Sequence, residues 1–115
     1  MAYMLLIVEP QGQRGTRPRQ EGHDLYQRMV DYGRSLQARG LLLASDSLRE
    51  TAARLSIRGG RHNVVDGPFT ESKELVGGFF LLDCATREQA LSLAAECPAA
   101  EWAAVEVREV GPCYE

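Results

Sequence analysis

Asp66, Glu71, Lys73 and Glu74 crowd ionisable side chains into one short stretch of the chain. In a helical turn Glu71 and Glu74 share a face; in extended backbone Glu71 and Lys73 share a side. A lysine between carboxylates holds both charged, an arrangement suited to acid/base work or to a polar ligand. The plainer reading of the same residues is a solvated loop ion pair, worth less than about 1 kcal/mol. Asp66 has two readings as well: a general base or histidine-orienting group, or a turn residue bonding the backbone of the Gly67-Pro68 bend. His23 and His62 are the two histidines of the chain. His23 stands beside Asp24 at a helix start, where the helix N-terminus favours anions. Asp66, Glu71, Lys73 and His23 are therefore the candidate catalytic groups, with a small anionic ligand as the expected guest. There is no Cys-x-x-Cys and no two-histidine spacing, so neither a metal nor a cofactor is expected. Ser-His-Asp or Cys-His wiring has no support in positions this scattered.

A rigid frame flanks the charged stretch. Gly67-Pro68 bends the chain before it, and Gly77-Gly78 opens an apolar strand over Phe79–Leu82 after it. The glycine pair admits either a ligand or a β-bulge against bare backbone. Ala2–Val8 reads as a central strand ended by Glu9-Pro10. Gln11–Gln20 reads as an exposed loop, with Arg14, Arg17 and Arg19 solvated. Leu25, Met29, Tyr32 and Leu36 form one stripe of a helix over Glu21–Arg39, closed by Gly40. Leu41–Ser45 is a second strand. Arg54–Arg58 alternates as a strand with one wet face, turns at Gly59-Gly60 and returns through Asn63–Val65. Thr86-Arg87-Glu88-Gln89 has a capping-box pattern for a second helix, with Ala90, Leu91, Ala94, Ala95 and Cys97 on its small apolar face. Ala103, Val105 and Val107 alternate in a last strand, and Trp102 is read as a core or interface anchor.

The order is strand, helix, strand, hairpin, strand, helix, strand. Without the hairpin it is βαββαβ, an α+β ferredoxin-like arrangement with both helices on one face of an antiparallel sheet. The other face then needs a cover, so a homodimer with sheets face to face is expected.

The 115 residues suit one domain over 1–115, and 44% apolar with 25% charged residues is ordinary for a globular chain. A net charge of −3 argues against nucleic acid as a partner. No apolar run approaches the roughly 18 residues of a membrane span, and no signal peptide is visible. Three irregularly spaced cysteines, Cys84, Cys97 and Cys113, fit free thiols and a cytoplasmic setting.

Val65-Asp66-Gly67-Pro68-Phe69-Thr70-Glu71-Ser72-Lys73-Glu74, followed by Gly77-Gly78-Phe79, resembles the signature of the YCII-related proteins, in the subgroup named for its Asp-Gly-Pro-Phe motif. Leu36–Gly40, Arg58–Gly60, Glu88–Ala90, Cys97-Pro98 and Val105–Arg108 extend the resemblance over nearly the whole chain except Gln11–Gln20. The resemblance implies a ferredoxin-like fold that dimerises as an α/β barrel. It also implies a cleft with a His and an Asp suspected of catalysis, and it sets His23 near the family histidine's place. The subgroup is often encoded beside alternative sigma factors, which implies a regulatory association. Two functions follow as expectations. One is a small-molecule enzyme with an acid/base pocket at the Asp66–Glu74 loop. The other is a non-catalytic binding or regulatory module. Convergence of Asp66, Glu71 and His23 in one concave site would favour the first.

Overall fold

The computed structural model describes residues 1–69 and 71–114; Thr70 of the Asp-Gly-Pro-Phe stretch lies outside them. Six strands and two α-helices follow in the order β1 (Ala2–Pro10), α1 (Arg19–Ala38), β2 (Leu42–Ser47), β3 (Ala53–Arg58), β4 (Arg61–Asp66), β5 (Glu74–Asp83), α2 (Arg87–Ala95) and β6 (Ala104–Glu109). β1, β2, β5 and β6 form one antiparallel sheet in the order β2-β5-β1-β6, while β3 and β4 pair only with each other. This is a mixed α+β architecture compatible with a ferredoxin-like fold.

β1 shows why the sheet has a helix side. Tyr3, Leu5, Ile7 and Glu9 are buried in strict alternation with half-buried neighbours, as a two-residue side-chain period requires. Phe80 lies opposite Leu5, and Leu82 opposite Tyr3. These residues meet Leu36, Leu93, Ala90, Ala94 and Cys97 from the helices in a single core. Leu5, Leu36 and Leu82 are fully enclosed, each contributing about 1.5–3 kcal/mol by burial. Tyr32 stands edge-on to Phe80 at 5.1 Å and donates its hydroxyl hydrogen to the Leu93 carbonyl at 2.6 Å, which joins the two helices across the sheet.

The helix ends follow local chemistry. Thr86 Oγ1 accepts from the Gln89 amide at 3.1 Å, satisfying one of the free donors at the start of α2. Gly40 takes a positive φ of 70° just beyond α1, where a side chain would be strained. Leu91, expected on the inner face of α2, is 40% exposed, and Leu93 takes the core position instead.

The ribbon β3–β4 departs from expectation. Gly59 and Gly60 turn it with φ of 56° and 76°, as the tight turn demands. Yet neither face is covered: Leu55, Ile57 and Val64 are 60%, 50% and 59% exposed. The ribbon stands clear of the sheet, so alternation there does not mark a dry side. The Cα radius of gyration is 16.1 Å, against about 13 Å for a compact chain of this length.

Candidate functional site

α1 has 20 residues, yet only Tyr32 and Leu36 are buried. Both lie in its C-terminal half, beside Gly33, where a Cβ would make ordinary contact with the Phe80 ring at 3.5 Å, so the approach does not require glycine. The N-terminal half stands off the sheet. Met29 packs half-buried against the core as the stripe predicts, and with Leu25, which does not join that core, it also lines a cavity of about 760 Å³ between α1 and the β2–β5 side of the sheet. This falls within the roughly 300–1,000 Å³ of small-molecule sites. Phe80 and Trp102 add apolar wall, while Ser45, Ser47, Arg17, Arg34 and Arg49 add polar wall. Trp102 is thus half-buried at the cavity, with Arg28 over its ring at 5.4 Å and Arg17 at 6.0 Å, within range of cation–π attraction.

One end of the cavity is a built ion pair. Glu9 is the buried charged residue of the described chain, on the same strand face as Ile7. Arg14 meets it from the short 3₁₀ helix Gln13–Thr16. Arg14 Nε lies 3.1 Å from each Glu9 oxygen, and Nη2 is hydrogen-bonded to Glu9 Oε1 as well. Nη2 also donates to the Gly77 carbonyl at 3.3 Å and Nη1 to the Leu48 carbonyl at 3.0 Å. Of the five N–H groups of a guanidinium, these contacts leave one on Nη1. The Glu9 hydrogen bond raises the Arg14 pKa above its ordinary value, against an opposing effect of burial.

Gly77 makes room for this pair. Ile7 pairs with Gly78 and Val8 with Val76, so Gly77 is the extra residue of a β-bulge. A Cβ at Gly77 would overlap Glu9 Oε1 and press on Arg14 Nη2. Gly78 serves closeness of a different kind, since its Cβ would meet the Asp46 carbonyl at 3.0 Å across the β2–β5 ladder. The bulge reading of the pair therefore holds, and it also shapes the cavity wall.

Two expectations are corrected here. Gln11–Gln20 is not simply an exposed loop: Arg14 is pinned to β1, to β5 and to Leu48 just after β2, and Gln13 Nε2 donates to the Trp102 carbonyl at 2.7 Å. The reason is tertiary, because the carbonyls that receive Arg14 lie far along the chain. Glu9 was missed as a residue of the candidate site. Its signal was its phase, two residues beyond Ile7 on the buried face of β1.

The four residues expected to react sit elsewhere. His23, Asp66, Glu71 and Lys73 are all exposed, and none lines either this cavity or a smaller one of about 240 Å³ at the ribbon base. Glu71 faces Arg54 at 3.5 Å, and Arg54 stacks over the Phe69 ring at 3.9 Å. The Ser72 amide donates to the Phe69 carbonyl at 3.0 Å, and the Gly67 amide to the Ala52 carbonyl at 2.7 Å. Among the described residues no group of three or more His, Cys, Asp or Glu side chains is placed to hold a metal ion. Among the described residues no helix is long and apolar enough to cross a membrane.

A solved structure with a similar fold is 5-chloro-2-hydroxyhydroquinone dehydrochlorinase (TftG) from Burkholderia phenoliruptrix AC1100, in complex with 2,5-dihydroxybenzoquinone. It covers 96% of this chain and 94% of its own, with a TM-score of 0.57 and 16% identity; at that identity the likeness is one of fold. An uncharacterized protein of Rhizobium meliloti (strain 1021) is 49% identical over 43 residues, which are 37% of this chain. The match spans 35% of that relative's length. The YCII-related domain matches residues 1–113. With nearly every residue inside that match, the chain belongs to the YCII-related family.

Proposed function

We propose that this protein binds a small organic molecule in the cavity between α1 and the sheet, as a ligand-binding or regulatory module. The observation that carries the reading is the Gly77 bulge. It opens a strand so that a buried ion pair forms part of the wall of a cavity lined by both apolar and polar side chains. Apolar walls with a few fixed polar groups suit small-molecule recognition. Both Glu9 oxygens are engaged by Arg14, so the pair serves orientation better than proton transfer. The fold neighbour's bound dihydroxybenzoquinone is in keeping with a guest of this size. The test is retention of a metabolite pool by the intact chain, read by mass spectrometry, against a Leu25→Trp variant that fills the cavity. Equal retention by both would end the reading.

A second reading keeps the protein as a small-molecule enzyme with Asp66, Glu71, Lys73 and His23 as acid/base groups assembled across a homodimer. The exposed apolar face of the ribbon favours it, because Leu55, Ile57 and Val64 stand uncovered on their own subunit. A barrel of two copies in the Asp-Gly-Pro-Phe subgroup manner would cover such a face. Sedimentation near twice 12.7 kDa, together with loss of turnover in Asp66→Asn and Glu71→Gln, supports this reading. A monomer at micromolar concentration removes it.

A further inference from the structure

The cavity's arginines divide into two groups. Arg14 is matched by Glu9. Arg17, Arg34 and Arg49 line the same cavity, and among the described residues none of the three has a carboxylate partner. The ion pairs formed elsewhere use Arg28, Arg39 and Arg54. Composition does not produce this imbalance, since the chain carries 16 acidic residues against 13 basic ones. Asp46 also lines the cavity, but its side chain does not offset the imbalance. Asp46 pairs with Phe79, one residue out of phase with Phe80, and Phe80 faces α1. Strand alternation therefore turns the Asp46 side chain toward the opposite face of the sheet. Glu9 is already neutralised by Arg14, and the Glu50 carboxylate acts on Arg14 as well.

We infer that the occupant of this cavity is an organic anion: a carboxylate, phenolate or sulfonate on an apolar body. The inference rests on the cavity reading above and adds the class of ligand. Leu25, Met29, Phe80 and Trp102 take the apolar body. Arg17, Arg34 and Arg49 surround it with uncompensated positive charge, which attracts an anion and disfavours a cation. Arg14 contributes its remaining Nη1 hydrogen to an anionic oxygen without giving up Glu9.

The experiment compares two fluorescent probes on the intact chain: anilinonaphthalene sulfonate and neutral phenylnaphthylamine, which shares the aromatic body but lacks the sulfonate. The anion is expected to bind about tenfold more tightly at low salt, as three partly exposed charges together would give. Raising the salt should narrow the gap. In the triple variant Arg17→Gln, Arg34→Gln, Arg49→Gln the anion should lose more affinity than the neutral probe, so that the two bind within about threefold of each other. Leu25→Trp should weaken both. Equal binding of the two probes to the native chain, with Leu25→Trp weakening both, would overturn the anion class and leave the cavity reading standing. Unchanged binding of the anion by the triple variant would overturn the class too. Binding that Leu25→Trp leaves untouched, or no binding of either probe, would overturn the cavity reading and the class with it.

Discussion

Glu9–Arg14 and Glu71–Arg54 are the same chemical pair in opposite settings. The Glu9 side chain is 8% exposed and Arg14 is 35% exposed, whereas Glu71 and Arg54 are 73% and 53% exposed. The first pair is held by a bulge, a 3₁₀ helix and two backbone carbonyls. The second lies on the loop after the projecting ribbon, in contact with solvent. A buried charge must be paired and fully hydrogen-bonded, so the surrounding backbone is committed to it. An exposed pair makes no such demand, since water solvates either partner alone.

Substitutions separate the two regions by size of effect. Gly77→Val should be the most damaging, costing about 3 kcal/mol or more, because the new side chain displaces Glu9 from Arg14 and breaks a largely buried pair. Denaturant melts read this directly, and a native-like midpoint would show that the bulge does not support the pair. Glu9→Gln should cost about 2 kcal/mol, reduced from the fully buried case because Arg14 reaches solvent in part.

The buried side of the molecule also titrates. Burial raises the Cys97 thiol above its ordinary value of 9.0, so folding favours the protonated form. Its contribution is fully present below about pH 9 and is lost as the pH rises through the folded value. Alkaline melts of the native chain and of Cys97→Ala check it: the alkaline loss should shrink in the variant, and an identical decline in both would refute the assignment.

The ribbon side should respond least. Gly67→Val should cost about 1 kcal/mol, since a Cβ there would press on the Phe69 ring at 3.0 Å. Glu71→Gln should cost under about 1 kcal/mol in thermal melts of the monomer. A large loss from Glu71→Gln would mean that this loop is buried in the working assembly, and the contrast between the two pairs would invert.

Local chemistry alone determined the elements. A two-residue period placed Tyr3, Leu5 and Ile7 on one face of β1. Thr86 and Gln89 marked the start of α2, and Gly40 the end of α1. Each signal acts between residues a few positions apart, so it survives in a one-dimensional reading. Family membership was legible for the same reason, because a long motif is a local string. That string drew the search for chemistry to Asp66, Glu71 and Lys73, where charges are dense in sequence. The cavity instead depends on pairings that density does not reveal. Arg14 reaches the carbonyls of Leu48 and Gly77 only after β2 and β5 have docked. Leu25 looks as much like a core residue on a helical wheel as Met29, which does pack against the core. Both line a cavity because the buried residues of α1, Tyr32 and Leu36, lie in its far half. Alternation along β3 and β4 likewise gave the strands but not their exposure, since burial depends on what packs against a face. Hydrophobic period and capping are properties of a segment. A cavity is a property of the gap between segments, and tertiary packing decided where that gap lies.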